Sequence, residues 1–262
     1  MRMVSQRYST HSNTNFKKEF IMPTLVALNS QTHQTLGINT KHVESQAGLL
    51  HMAPVVLSEF LKLSLQYPIV FTKNKDTGRF TCTTLFGLEK GENLFFNNDA
   101  WDALYLPLQV RRQPFFIGES EGEDGKSIIC IDMNHSSINT ESGEKLFDMQ
   151  GNETNYLINI KNILAELFDG EKTTQAFINQ LLSLSLLQPM QLQITLEDDY
   201  AVRVDGLYTV DEAALNKLTA EQLFTLHEKN YLHPIYTMIT SIGHIYGLVD
   251  KKNKRLATCN RE

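Results

Sequence analysis

Two adjacent arginines near the middle of the chain are the residues whose type and setting best suit binding chemistry. Arg111 and Arg112 lie in the largely apolar segment 104–116, with Pro107 and Pro114 on either side of them. A guanidinium group presents paired N–H donors that match a carboxylate or a phosphate. The apolar setting indicates that these side chains are positioned, so the pair is a candidate site for an anionic ligand or an acidic protein segment.

Two interpretations of the arginine pair stay open. In the first, which the pattern favours, both side chains form ion pairs inside the protein and have a structural role. In the second, one arginine pairs with Asp132 or Asp148, and the other remains available to a ligand or a protein partner.

The segment Asp205-Gly-Leu-Tyr208 is a second candidate. A glycine inside a predicted strand indicates a bulge or a close backbone approach, and Asp205 and Tyr208 would flank it. A cap at the end of a strand is the alternative role, and the pattern favours it. The candidate ligand-binding residues are therefore Arg111, Arg112, Asp132, Asp205 and Tyr208.

Motifs that define several enzyme and metalloprotein classes are missing from the sequence. It contains neither the glycine-rich nucleotide loops nor the G-x-S-x-G elbow of α/β-hydrolases. Cys82, Cys130 and Cys259 are widely spaced, which predicts neither a zinc site nor a disulfide framework. The acidic loop 119–125 lacks the ligand spacing of a calcium loop. We predict no metal and no cofactor, and catalytic residues stay unknown.

The overall composition is that of a soluble globular protein. The 262 residues are 42% hydrophobic and 21% charged, and the formal net charge is −6. This mildly acidic balance argues against nucleic-acid binding, and no apolar run is long enough for a transmembrane segment. Residues 1–21 are polar and basic without the apolar core of a secretory signal, so we predict a cytoplasmic protein.

The domain organisation predicted from the sequence is a single unit over residues 22–250. Residues 1–21 are interpreted as an extension, either disordered or placed before a natural start at Met22. Residues 251–262 are predicted to form a polar tail. A domain boundary near Asn152 is the alternative to one domain.

Hydrophobic periodicity predicts an α+β fold: a mixed or antiparallel sheet region, then a helical pair, a β-hairpin and C-terminal helices. Strands are predicted at 24–28, 69–72, 80–88, 94–96, 115–118, 127–133, 191–196 and 200–207. Helices are predicted at 53–66, 154–168, 173–187, from 211, from 219 and at 231–247. Residues 31–43 are predicted to be polar surface, and 104–112 either a short helix or an extended segment. Gly170 is interpreted as the stop between two antiparallel helices.

Several motifs in order resemble the SapC family of bacterial proteins, over residues 22–248. These motifs are Tyr67-Pro-Ile-Val-Phe71, Leu85-Phe-Gly-Leu88, Gly91-Glu-Asn-Leu-Phe95, Tyr105-Leu-Pro107, Arg111-Arg-Gln-Pro-Phe115, Cys130-Ile-Asp132, Leu146-Phe-Asp148 and Asp205-Gly-Leu-Tyr-Thr-Val-Asp-Glu212 with Leu215-Asn216. The resemblance implies an accessory protein, whose possible partners are halogenase-like or cupin-like proteins. The family name implies an association with surface layers. The family has no established catalytic residues, so the resemblance assigns none.

Three functional hypotheses follow from the sequence. The first is a soluble accessory or binding protein that engages a protein or an anionic small ligand through Arg111 and Arg112. The second is a surface-layer component, and the third is an enzyme with a dispersed site. Convergence of Arg111, Asp132, Asp205 and Tyr208 in one concave pocket would favour the third hypothesis.

Overall fold

Strands of several antiparallel sheets contact one long helix in this protein. The structure is a computed structural model that describes residues 24–97, 100–119, 127–197 and 200–259. The strands are β1 (Leu25–Ala27), β2 (Gly37–Ile38), β3 (Met52–Pro54), β4 (Ile69–Lys73), β5 (Phe80–Leu85), β6 (Phe96–Asn97), β7 (Ala100–Trp101), β8 (Phe115–Glu119), β9 (Ser127–Asp132), β10 (Ile138–Asn139), β11 (Glu144–Lys145), β12 (Leu187–Thr195) and β13 (Ala201–Val210). The helices are α1 (Thr40–Ala47), α2 (Phe60–Leu63), α3 (Leu108–Arg111), α4 (Asn155–Ser183), α5 (Glu212–Leu215), α6 (Ala220–Glu228), α7 (Leu232–Ser241) and α8 (His244–Cys259). A 3-10 turn spans Leu57–Glu59.

The strands form a large antiparallel sheet and smaller ones, which confirms the α+β class. The large sheet has the order β12-β13-β4-β5-β3, and a three-stranded sheet has the order β1-β9-β8. The predicted hairpins form as expected, because their β-branched and aromatic residues suit a half-buried pleated surface. Most of the acidic loop 119–125, for which the sequence predicts no calcium site, lies outside the described residues.

The predicted helical pair is wrong, because α4 continues through Gly170 as one helix of 29 residues. A Cβ atom at Gly170 would lie 2.8 Å from Val56 Cβ. One turn later, the Thr174 hydroxyl accepts a hydrogen bond from the backbone N–H of Leu57 at 3.0 Å. Gly170 therefore allows the 3-10 turn to approach α4 closely, and it does not end the helix.

Two further local predictions are corrected by the structure. The predicted helix 53–66 is divided into β3, the 3-10 turn and the short α2, since Pro54 pairs with Thr83 at the edge of the sheet. The segment 31–43, predicted as surface, contributes buried Leu36 and Ile38. Its His33 is also buried, where Nδ1 accepts a hydrogen bond from the N–H of Asn29 at 2.9 Å.

The β12–β13 hairpin carries the bulge that Gly206 predicts. Met190 pairs with Leu207 and Leu192 pairs with Val204, so the register shifts between them. Gly206, with φ of +80°, lies at this shift, and a positive φ is most accessible to glycine. The pairing of β13 with β4, through Leu207 and Tyr208, lies directly after this bulge.

Helix α8 continues to Cys259 through much of the segment that the composition predicts as a polar tail. Its Lys252 ammonium group lies 2.6 Å from a carboxylate oxygen of Glu89 and 2.5 Å from one of Glu92. Arg255 donates to the backbone oxygens of Asn93 and Phe96, each at 3.0 Å. The basic face of α8 thus holds the segment 89–97 in place.

We expect Lys252→Met to lower the free energy of unfolding by about 1–3 kcal/mol, because two neighbouring carboxylates would lose the cation between them. Urea unfolding at neutral pH measures the change. Lys254→Met is the matched control, since Lys254 forms an exposed pair with Asp250 on the same helix, and it should cost about 0.5 kcal/mol or less. Equal effects of the two substitutions would contradict a structural role for the Lys252 cluster.

Candidate functional site

The short helix α3 carries Arg111 at its end and is fixed at its start by a buried carboxylate. Pro107 precedes the first turn in an extended conformation, with ψ of 146°. The Leu108 backbone N–H then donates to Glu59 Oε1 at 2.7 Å. An acidic group at the N-terminus of a helix satisfies N–H groups that have no partner within the helix.

Glu59 itself is completely buried, at 0% exposure. Its carboxylate accepts hydrogen bonds from the Val56 N–H at 3.2 Å and from the Tyr105 hydroxyl at 3.2 Å, in addition to the one from Leu108. Burial raises the pKa of this carboxyl group, although these three hydrogen bonds oppose the rise. Sequence reasoning missed Glu59, and the available signal was an acid three residues after Val56 at the start of a turn.

Arg112 is held by contacts inside the protein. Its Nε donates to Gln109 Oε1 at 2.7 Å, and its guanidinium also donates to the Phe115 carbonyl at 2.7 Å. The same group stacks over the Phe116 ring at 4.3 Å, a favourable cation–π geometry. Burial lowers the pKa of Arg112 to about 10, so this side chain remains charged at neutral pH.

Arg111 differs sharply from its neighbour. Its side chain is half-exposed, and within the four described ranges it makes neither a side-chain hydrogen bond nor an ion pair. It lies near enough to Tyr105 for its charge to oppose the rise in the pKa of that phenol, which is caused mainly by burial. As far as the described residues go, Arg111 is therefore the arginine of the pair whose donors remain available.

Three leucines, two in or just after α2 and one next to Tyr105 in the chain, are exposed. The exposed fractions are 78% for Leu104, 59% for Leu61 and 61% for Leu65. The Leu104 N–H donates to Gln66 Oε1 at 2.5 Å, which places Leu104 beside the end of α2. Lys62 lies 5.4 Å from the centre of the Tyr105 ring. We call the residues Leu61, Lys62, Leu65, Leu104 and Arg111, which belong to the neighbouring segments 61–66 and 104–111, the Arg111 face.

The carboxylates that the sequence offers as arginine partners are engaged elsewhere. Asp132 Oδ1 accepts from the backbone N–H groups of Thr24 at 2.9 Å and Asn134 at 3.1 Å. Asp148 Oδ1 accepts from the N–H groups of Gln150 and Asn152. Among the residues whose placement is described, neither carboxylate pairs with Arg111 or Arg112.

Asp205 and Tyr208 lie in the large sheet, away from the contacts of the arginine pair. Asp205 accepts from Arg203 Nε at 2.9 Å and borders a shallow groove of about 430 Å³. Tyr208 pairs with Phe71 between β13 and β4, and its ring meets the Phe80 ring edge-on at 4.9 Å. For the part of the chain with described positions, no hydrogen bond, ion pair or ring contact joins these two residues to Arg111, Arg112 or Asp132.

The Arg111 face combines a guanidinium group with exposed apolar side chains. It can therefore bind an anionic group that has an apolar neighbour. Over the described residues, no group of three or more His, Cys, Asp or Glu side chains is placed to hold a metal ion. No described helix combines the length and apolar character needed to cross a lipid bilayer.

Comparisons with known proteins identify the family of the chain. No curated protein and no solved structure matches it. The SapC family profile matches residues 28–248, which is most of the sequence. The match includes α2, the 3-10 turn and α3, and with them every residue of the Arg111 face. The chain therefore belongs to the SapC family.

Proposed function

We propose that this protein is an accessory binding protein that engages an acidic segment of a protein partner through the Arg111 face. The observation that carries the proposal is the contrast between the two arginines. Arg112 is held by two hydrogen bonds and an aromatic ring, whereas Arg111 has no such bond among the described residues and sits on a helix anchored by buried Glu59. A fixed backbone with an available guanidinium group is suited to binding a carboxylate.

The exposed leucines favour a protein over a small anionic ligand. Exposed apolar side chains grouped together mark protein interaction surfaces, and Leu61, Leu65 and Leu104 are all more than half exposed. An arginine beside such a surface can be desolvated when a partner binds, and its ion pair then contributes strongly to affinity. Halogenase-like and cupin-like proteins, implied by the family, are the first partners to test.

The separation of the candidate residues supports binding over the enzyme hypothesis. A dispersed catalytic site needs its groups to converge on one reacting molecule. Here Asp205 is paired with Arg203, and Tyr208 packs against Phe80 in the large sheet. These contacts stabilise the sheet, and Arg111 takes part in neither of them.

Site-specific photo-cross-linking in the native host tests the proposal. A photoreactive amino acid at position 104 should give a discrete protein adduct, because this side chain is 78% exposed. Arg111→Glu should reduce the adduct by about tenfold or more, since a repelled carboxylate costs at least about 1.4 kcal/mol. Mass spectrometry of the adduct identifies the partner, and cell fractionation tests the predicted cytoplasmic location.

Arg79→Glu is the matched control for charge reversal. Arg79 is also an exposed arginine, but it pairs with Glu171 on α4, so the adduct at position 104 should persist. Loss of the adduct in both variants, or its persistence in Arg111→Glu, would overturn the role of the Arg111 face. An unchanged melting temperature of Arg111→Glu confirms that the fold is intact.

A further inference from the structure

The longest stretch of the chain without a charged residue is 173–196, between Lys172 and Glu197. It contains the end of α4 and the whole of β12. This stretch is not simply a buried core element, because Gln188, Gln191 and Gln193 are exposed. An extended uncharged surface is unusual on a chain of which 21% of the residues are charged.

Strand β12 is also the long open edge of the large sheet. It has 9 residues and pairs with β13 on one side only, and no other described strand covers its second edge. The other edges of this sheet and of the sheet β1-β9-β8 are short or carry charge, as edge strands commonly do. β1 and β3 have 3 residues each, and β8 ends in Glu119. The part of β13 that extends beyond its pairing with β4 carries Arg203 and Asp205.

Only the second half of β12 is fit for strand pairing. Pro189 has no backbone N–H to donate, and the register shift between Met190 and Leu192 interrupts the edge. Beyond the shift, Leu192–Thr195 continues in regular register with β13, without proline, glycine or charge. Strand edges of this kind pair readily with another chain.

We propose that this half of β12 pairs antiparallel with the same strand of a second copy of the chain. Antiparallel pairing of two identical strands has two-fold symmetry, so both copies use the same surface. Two copies that each carry a net charge of −6 repel one another. Pairing through this half of β12, which has no charged residue, places no like charges next to each other. Across the axis, Leu192 and Ile194 would meet on the face that packs against the core, and Gln193 would lie on the exposed face.

Charge variants of Gln193 test this pairing in the full chain. The wild-type protein should sediment as a dimer at tens of micromolar. Gln193→Lys and Gln193→Glu should each weaken dimerisation by about tenfold or more, because like charges near the axis oppose each other. Mixing the two variants should restore the dimer, because opposite charges then face each other across the same strands.

Gln150→Lys is the matched control, since Gln150 is exposed in a turn far from β12 in the sequence, and this variant should dimerise like the wild type. A wild-type protein that stays monomeric would overturn the proposal. Dimers that survive both single substitutions would overturn it too. So would failure of the mixed variants to associate while each keeps the wild-type melting temperature.

Discussion

Glu59→Ala should lower the free energy of unfolding by about 3–5 kcal/mol. The substitution removes the acceptor for the buried N–H groups of Val56 and Leu108 and for the Tyr105 hydroxyl. Each buried donor left without a partner costs about 1–3 kcal/mol. Trp101, the single tryptophan, reports the change by fluorescence, because its indole donates to Tyr67 and Tyr67 donates to the Tyr105 carbonyl.

The pH dependence of stability distinguishes the effect of the Glu59 charge from the effect of its side-chain shape. Burial raises the pKa of the folded carboxyl group above its ordinary value of 4.5. The folded state therefore holds this proton more tightly than the unfolded state does. The resulting stabilisation is fully present below pH 4.5 and is lost as the pH rises through the folded pKa.

Glu59→Gln does not titrate, so its stability relative to the wild type should improve as the pH rises from about 4.5 toward neutrality. Its amide keeps one acceptor oxygen, and we expect a loss of about 1–2 kcal/mol. Glu228→Gln is the control, because Glu228 is an exposed glutamate at the end of α6; it should change stability by about 0.5 kcal/mol or less. Wild-type stability of Glu59→Ala, or an equally large loss in Glu228→Gln, would contradict this role of Glu59.

Gly170→Val should destabilise the protein by about 3 kcal/mol, the upper end of overpacking costs. The glycine lies inside α4, where an added Cβ would be 2.8 Å from Val56 Cβ and 3.0 Å from both of its methyl carbons. Either α4 or the 3-10 turn must then move, and the Leu57 to Thr174 hydrogen bond would be strained. Urea unfolding monitored by circular dichroism measures the loss.

Two companion variants make this prediction specific to the contact. Val56→Gly removes the Cβ atom and both methyl carbons, so the Gly170→Val/Val56→Gly double variant should recover about 1–2 kcal/mol relative to additivity. Gly247→Ala serves as the control, since no atom lies within 4 Å of a Cβ added to this glycine of α8. It should stabilise the protein slightly, by about 0.5–1 kcal/mol. Additive behaviour of the double variant would show that Val56 is not the obstacle.

Local sequence patterns predicted the hairpins and caps well. Alternating residues at 191–196 and 200–207 predict the hairpin that β12 and β13 form. Asp211 and Thr219 cap α5 and α6 by accepting hydrogen bonds from the N–H groups of Ala214 and Gln222. These features depend on residues near each other in the chain. Gly170 misled the prediction, because its role depends on Val56, which is distant in sequence and therefore invisible to periodicity.

The candidate site was predicted only in part. The apolar setting of the two arginines drew attention to segment 104–116, but the division of roles between them depends on Gln109, Phe115 and Phe116 in three dimensions. Glu59 was missed because an acid within a helix-like pattern is ordinarily exposed. Its burial follows from the approach of Leu108, 49 positions later.

The order of strands in the large sheet has a consequence for the newly made chain. β4 pairs with β5, which follows it closely in the chain. The other edge of β4 pairs with β13, and the N–H of Ile69 donates to the hydroxyl of Ser241, which lies 172 positions later. Until those residues have been synthesised, Ile69, Val70 and Phe71 present an apolar strand edge that is fully buried in the finished protein. Closing such long loops slows folding, and exposed apolar edges attract other chains. The nascent protein therefore passes through a stage at which protection by chaperones would favour its yield.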